Sequence, residues 1–311
     1  MIASVKALAG RDFLDIADLS AEELRHVLEF ARGIKGGRWS QRPLQGRHIA
    51  MLFQKPSHRT RVSFEVGIAR LGGTSTTLSE QDVQLGVRET VADAACVLDR
   101  YVDGVVARLR THADLLELAA SSAKPVINGL TDRSHPCQVL ADLVTLEEKR
   151  GRLFGQHVVY VGDGNNIAAS LIEASALAGF RLTVVSPDGY QPKGDVLERA
   201  RSISQQPLQV ELTSRLAGLD DATAIYTDVW TSMGQESERE ERAKAFAPYQ
   251  VNQAVMDAAP GAVFMHCLPA HRGEEVTDEV IDGPRSVVFD QAENRLYAQM
   301  AIMAELFGGE Q

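Results

Sequence analysis

The sequence predicts an α/β protein made of two doubly wound domains with parallel sheets, and three observations point there. Short apolar runs such as HIAMLF (His48 to Phe53), VDGVVARL (Val102 to Leu109) and HVVYV (His157 to Val161) each give way, through a polar turn, to apolar residues at helical spacing. That alternation is the pattern of strand–helix–strand units, whose strands pair in parallel. At 311 residues the chain exceeds one typical domain. Finally, a polar, glycine-containing seam from Lys149 to Gly155 interrupts the alternation before it restarts. The expected domains are therefore 1–148 and 149–291, with a terminal helix, 292–311, packing back on the first. In such an architecture strand tips and helix starts gather ligands, so an active site in the interdomain cleft is expected.

Composition narrows the function. The formal net charge of −10 argues against a nucleic-acid surface or an anionic membrane, so an anionic substrate must be drawn by a local basic cluster. Three widely spaced cysteines, Cys96, Cys137 and Cys267, favour reduced thiols in a cytoplasmic compartment over a disulfide framework. Lys6, Arg11, Asp12, Asp15 and Asp18 break any apolar run at the start, so no signal sequence is expected, and no stretch approaches a membrane span.

In chain order, Ser20 caps a first helix with Glu23 three residues on, and Leu24, Val27, Leu28 and Ala31 form its apolar face. The strand His48 to Phe53 ends at Lys55-Pro56. Ser57 then starts a helix marked by Val62, Phe64, Ile68, Ala69 and Leu71. The free amides of that helix start, the positive end of its dipole, Arg59 and Arg61, and the hydroxyls of Ser57 and Thr60 together suit a tetrahedral anion. A capped helix with solvated arginines is the plainer alternative. Gly72-Gly73 stops the helix, and TSTTLSE runs into a polar loop, Glu80 to Glu89, suited to an intersubunit segment or to a solvated connection. A helix from Thr90 to Tyr101 precedes the strand that ends with Arg108, where α/β sheets place ligand contacts. After a helix from Ala113 to Ala120 and the strand KPVINGL, Ser134 is placed to cap a helix whose first turn holds His135, Pro136 and Gln138.

The second half opens with a strand–helix–strand unit around GDGNN. Its turn admits a dinucleotide, but Ile167 stands where a third glycine belongs and no acid follows Val184-Val185-Ser186-Pro187. Asn165 and Asn166 instead offer amides for a polar substrate. A further helix–strand pass, Gly194 to Tyr226, delivers Asp228 at a strand tip, followed by a turn, Thr231 to Gly234, and a charged run, Glu236 to Arg242. Asp228 could pair with an ammonium while Ser232 and Met233 cover a short aliphatic chain; a plain surface loop is the alternative. The strand Ala262 to Met265 ends in HCLPAHRGEEV, where His266, Cys267 and His271 lack the second spaced pair that zinc asks for. Cys267 as a nucleophile would need a base beside it. FDQAENRLYAQMAIMAELF is an amphipathic helix (Leu296, Met300, Met303, Leu306) with Arg295 expected at its start.

Ser57-His58-Arg59-Thr60-Arg61 resembles the carbamoyl-phosphate loop of the aspartate/ornithine carbamoyltransferase family, usually STRTR. Here His58 holds a place where the family uses mainly the backbone amide. The glutamine loop, HPCQxLAD, GDGNN, DVWTSMGQE and HCLPAHRG follow in family order over nearly the whole chain, with HCLP where aspartate enzymes read HPLP. The resemblance implies that Ser57, His58, Arg59, Thr60, Gln84, Arg108, His135, Gln138, Cys267, Leu268 and Arg295 bind carbamoyl phosphate. It gives Asn166, Asp228, Ser232 and Met233 to ornithine, and catalytic roles to Arg108, His135 and Cys267. It also implies citrulline and phosphate as products in arginine biosynthesis, no cofactor or metal, and a homotrimer or a multiple of trimers. Competing readings are a carbamoyltransferase for putrescine or N-acetylornithine, a nicotinamide-dependent oxidoreductase, and a silent regulatory subunit. An acylated nitrogen offers Asp228 no cation, the glycine pattern is incomplete, and Arg59, Arg108, His135 and Cys267 are all retained.

Overall fold

The computed structural model describes residues 8–232 and 234–308. The chain divides into two compact units, the first running to Ala141 and resuming at Asn294, the second spanning Asp142–Glu293. Both boundaries fall inside helices, Pro136–Arg150 and Val288–Phe307. Among the described residues no helix is long and apolar enough to cross a membrane.

The first unit holds a four-stranded parallel sheet of β1 (His48–Phe53), β2 (Thr74–Ser79), β3 (Gly104–Arg108) and β4 (Val126–Leu130), in the order β2-β1-β3-β4. Ile49 to Phe53 and all of β3 are buried, as expected of parallel strands covered on both faces, whereas the hydroxyl-rich β2 is half-exposed at the sheet edge. Ala50, Leu52, Val105, Ala107, Leu115 and Leu118 build the core on one side. The helix His58–Arg70 buries Phe64 and Ile68, and its Gly67 lets the last helix come close: a Cβ there would stand 3.1 Å from Met303 Cε and 3.3 Å from Met300 Cγ.

The second unit holds five parallel strands, β5 (His157–Val161), β6 (Arg181–Val185), β7 (Val210–Thr213), β8 (Ala224–Thr227) and β9 (Val263–His266), in the order β7-β6-β5-β8-β9. Val159, Val161, Ile225, Phe264 and Val280 are central to its core. Strand order reverses between β1 and β3 in one sheet and between β5 and β8 in the other. At such reversals the connecting helices depart to opposite faces and leave a crevice at the strand tips.

Four local expectations change. β7 is a strand inside what reads as a single helix–strand pass, too short and too exposed for alternation to reveal it. Glu80–Val83 is one helical turn at the head of the polar loop, with Asp82 receiving the Ser79 amide. The helix after β4 starts at Pro136, which puts His135 in the capping position and Ser134 outside the helix, because proline suits the first helical place. The last helix starts at Val288, so Arg295 lies about two turns in.

Candidate active site

At the β1/β3 reversal the chain leaves β1 and turns into the helix His58–Arg70. Ser57 is extended (φ −162°) and its Oγ accepts the Thr60 amide at 3.3 Å. Ser57 Oγ also donates to Thr60 Oγ1 at 3.1 Å, and Arg295 Nη2 donates to the same oxygen at 2.8 Å. Arg295 Nη1 reaches Gln138 Oε1 at 2.6 Å, so the last helix, the phosphate-type loop and the HPCQ helix are joined through one guanidinium. No acid occupies the first turn of His58–Arg70, which leaves the positive helix end to an outside anion. His58 is its exposed first residue and Arg59 follows, half-buried.

Arg108 closes β3, buried, with Nε donating to the Lys55 carbonyl at 3.2 Å. His135, 4% exposed, accepts the Gln138 and Val139 amides through its carbonyl at 3.1 and 3.2 Å. Burial, and then the charges of Arg295, Arg108 and Arg59, hold its imidazole well below the usual histidine range. It is therefore neutral at physiological pH and can present an N–H without competing for the anion. The neighbouring Cys137 is buried, its thiol pushed up to about 12, with Sγ 3.4 Å from the Asn128 carbonyl that accepts it. Gln84 is exposed and left-handed (φ 47°), on the loop that Glu80 ties to Arg110 at 2.5 and 2.7 Å.

The β5/β8 reversal carries a different set. Asn165 caps the helix Asn166–Ala178, its Oδ1 accepting the Ile167 and Ala168 amides at 2.9 and 3.3 Å. Its Nδ2 donates to Asp228 Oδ2 at 2.8 Å, while Asp228 Oδ1 accepts the Val229 amide at 2.8 Å and the Cys267 thiol at 3.0 Å. Asp228, 7% exposed, is thus fixed just past β8. Asn166 is half-buried at the helix start, and the Ser232 amide closes a turn onto Gln235 Oε1 at 3.0 Å. Met233 lies outside the described residues.

Cys267 and Leu268 follow β9. Leu268 takes a left-handed backbone (φ 57°) and donates its N–H to His266 Nδ1 at 2.8 Å, while His266 Nε2 meets buried Glu275 at 3.1 Å. Potential ligand atoms of Asp228, His266 and Cys267 lie within 4.8 Å of one another. Both nitrogens of His266 are already engaged, which leaves a poor metal ligand set. Sequence reasoning passed over Asp163 and Arg242. The buried Arg242 pairs with Asp163 at 2.5 Å and donates to the Trp230 carbonyl at 2.6 Å. The signal was thin: one arginine in a charged run.

Each unit thus gathers one polar cluster at its strand reversal, cationic in the first and built around a buried carboxylate in the second. Residues 11–148 match the carbamoyl-phosphate-binding domain, and residues 154–306 the Asp/Orn-binding domain, of aspartate/ornithine carbamoyltransferases. The chain belongs to the aspartate/ornithine carbamoyltransferase family. An ornithine carbamoyltransferase of Thermococcus kodakarensis is 53% identical, the match covering 98% of this chain and 99% of the relative. An anabolic ornithine carbamoyltransferase of Pyrococcus furiosus is 52% identical over 98% of this chain. A solved structure of ornithine carbamoyltransferase from Pyrococcus furiosus superposes with a TM-score of 0.92 at 51% identity, covering 99% of this chain and 100% of that one. An anabolic enzyme from Campylobacter jejuni superposes at 0.89 with 34% identity over 96% of this chain and 100% of that one.

Proposed function

We propose that the chain transfers the carbamoyl group of carbamoyl phosphate to the δ-amine of L-ornithine, giving L-citrulline and phosphate, as a step in arginine biosynthesis. The observation that carries the ornithine half is Asp228. It is a buried carboxylate held by Asn165, a backbone amide and a thiol, a setting made for an ammonium group. Residues 1–148 with the helix 292–311 bind carbamoyl phosphate, and 149–291 bind ornithine. The amides of Ser57, His58 and Thr60, with Arg59, Gln84, Gln138 and Arg295, hold the phosphate.

Arg108, Thr60 and His135 point donors at the carbonyl oxygen. The amine lone pair attacks the carbonyl carbon, the oxygen gains charge, phosphate leaves with the bonding pair, and the new nitrogen loses a proton. Stabilising that oxygen is the largest electrostatic contribution. A neutral His135 serves it as a donor. Asn166, Asp228, Ser232 and Met233 hold the α-carboxylate and α-ammonium, with Cys267 and Leu268 beside the attacking amine; orientation supplies much of the remaining acceleration.

The δ-amine must be deprotonated to attack, so activity rises with pH; a flat profile from pH 6 to 9 contradicts this. We further propose a cytoplasmic homotrimer or multiple of trimers. The three thiols, none in a disulfide, and the exposed loop of Gln84 and Val87 support that reading. The test compares L-ornithine, putrescine, N-acetylornithine and L-aspartate as acceptors. Citrulline from ornithine in strong preference sustains the reading. Turnover of another amine overturns the assignment of Asp228.

A further inference from the structure

Arg242 lies in a run of charges, Glu238 to Arg242, that reads as solvated surface, yet it is only 4% exposed. Two of its polar ties lead back toward the segments that carry Asn166 and Asp228, and a third goes to half-exposed Glu238 one helical turn away. Nη2 pairs with Asp163 Oδ2 at 2.5 Å, Nε donates to the Trp230 carbonyl at 2.6 Å, and Nη1 stands 3.3 Å from Glu238. Aromatic rings wall the guanidinium, with Tyr190 and Phe246 centroids 5.0 and 5.4 Å away and Trp230 stacked on Phe246. Such walls exclude water and strengthen the ion pair.

The ties form a closed circuit. Trp230 lies midway between Asp228 and Ser232; Asp163 lies on the turn that carries Asn165 and Asn166; and Asn165 is bonded to Asp228. The Gly164 amide donates to the Tyr190 carbonyl at 2.8 Å, which holds that same turn from a third side. We propose that Arg242, through Asp163 and Trp230, is a positioning residue for the amino-acid substrate. It locks the segment Asp228–Ser232 against the turn Gly162–Asn166, so that Asp228, Ser232 and Asn166 keep one mutual arrangement. The proposal rests on the ornithine reading. Arg242 itself touches no substrate.

The circuit has a built-in sensitivity to acid. Burial, helped by the charges of Asp228 and Glu238 and opposed by Arg242, raises Asp163 to about 6. Tyr160, pushed well above its ordinary range, stays a neutral hydroxyl beside it. Above that pH the ion pair is whole; as pH falls through it, Asp163 takes a proton and Arg242 loses its anionic partner.

The test measures binding of L-norvaline, an amino acid with ornithine's α-groups and no δ-amine, to the full-length enzyme saturated with carbamoyl phosphate, from pH 5 to 8. Arg242→Met is expected to weaken norvaline roughly tenfold or more, as removal of one member of a buried pair does, and to change carbamoyl-phosphate affinity less than about twofold. Arg242→Lys falls between. In the unaltered enzyme norvaline affinity drops as pH falls through about 6, whereas in Asp163→Asn it is weak and flat across the range.

A merely structural clamp predicts something else: a lowered melting temperature with both ligands affected alike and the pH dependence retained in Asp163→Asn. That result overturns the proposal, as does norvaline affinity within about twofold of the unaltered enzyme in a folded Arg242→Met. Should Arg242→Met not fold, Arg242→Lys and Asp163→Asn decide by the same readings. Citrulline formation by the unaltered enzyme tests the ornithine reading separately. If it occurs and the variants bind norvaline normally, the inference alone fails.

Discussion

At the β1/β3 reversal the chemistry is cationic and cross-linked over long sequence distances. Arg295 bonds Thr60 and Gln138, and burial, followed by the charges of Arg295, Arg108 and Arg59, depresses the His135 imidazole. At the β5/β8 reversal it is anionic, and its ties cross shorter stretches of chain: Asp228 is held by Asn165, Val229 and Cys267, with Asp163 and Arg242 behind. The same kind of strand reversal thus presents a positive set in one unit and a carboxylate set in the other. The difference teaches that the strand order supplies only the crevice, while the residues at the strand tips decide which charge it accepts.

That contrast can be broken most severely on the cationic side. Arg108→Met is expected to lower kcat for citrulline formation roughly 10²–10³-fold, the usual loss for one donor aimed at a developing oxyanion. An unchanged kcat removes Arg108 from the chemistry. On the anionic side, Asp228→Asn keeps the shape and, with its oxygen toward Cys267, that contact, but loses the charge and the hydrogen bond from Asn165. It should raise KM for ornithine roughly 10–100-fold, as for loss of one charge-assisted hydrogen bond, and leave KM for carbamoyl phosphate nearly unchanged. Parallel changes in both constants would deny the division of labour.

A smaller effect concerns acid stability. His135 has a depressed folded value, so at low pH the unfolded chain binds a proton that the folded chain refuses. Its contribution is intact above the ordinary histidine value of 6.5 and is lost as pH falls below it. Urea midpoints measured from pH 7.5 to 5 should therefore drop less in His135→Gln than in the unaltered protein. The smallest effect concerns the thiols. Cys137, raised to about 12, should resist iodoacetamide in the folded protein, while half-buried Cys267 reacts and ornithine slows it. Peptide mapping after brief labelling reads both.

Much of the fold was legible because long, repeated signals announce it: capping at Ser20 and Ser57, buried apolar runs in β1, β3 and β5, and helical spacing between them. Where the motif residues stand was legible for another reason, since the placing of a helix start or a strand tip depends on a few neighbouring positions. What escaped depends on partners far away in sequence. β7 is four residues long and borrows its identity from β6. Arg242 resembles its charged neighbours until Asp163, 79 positions earlier (242 − 163 = 79), is brought against it. His135 precedes its helix rather than opening it, because the fixed φ of Pro136 outweighs the capping preference of Ser134.

The bond between Thr60 and Arg295 spans 235 positions. A ribosome delivers the loop that carries Thr60 before the whole second unit, and the arginine that steadies it after. The second unit is continuous in sequence and can settle as soon as it is released, while the first must remain open on one side. Folding of the half that came out first is therefore finished last, by a helix whose opening turns belong to the other half.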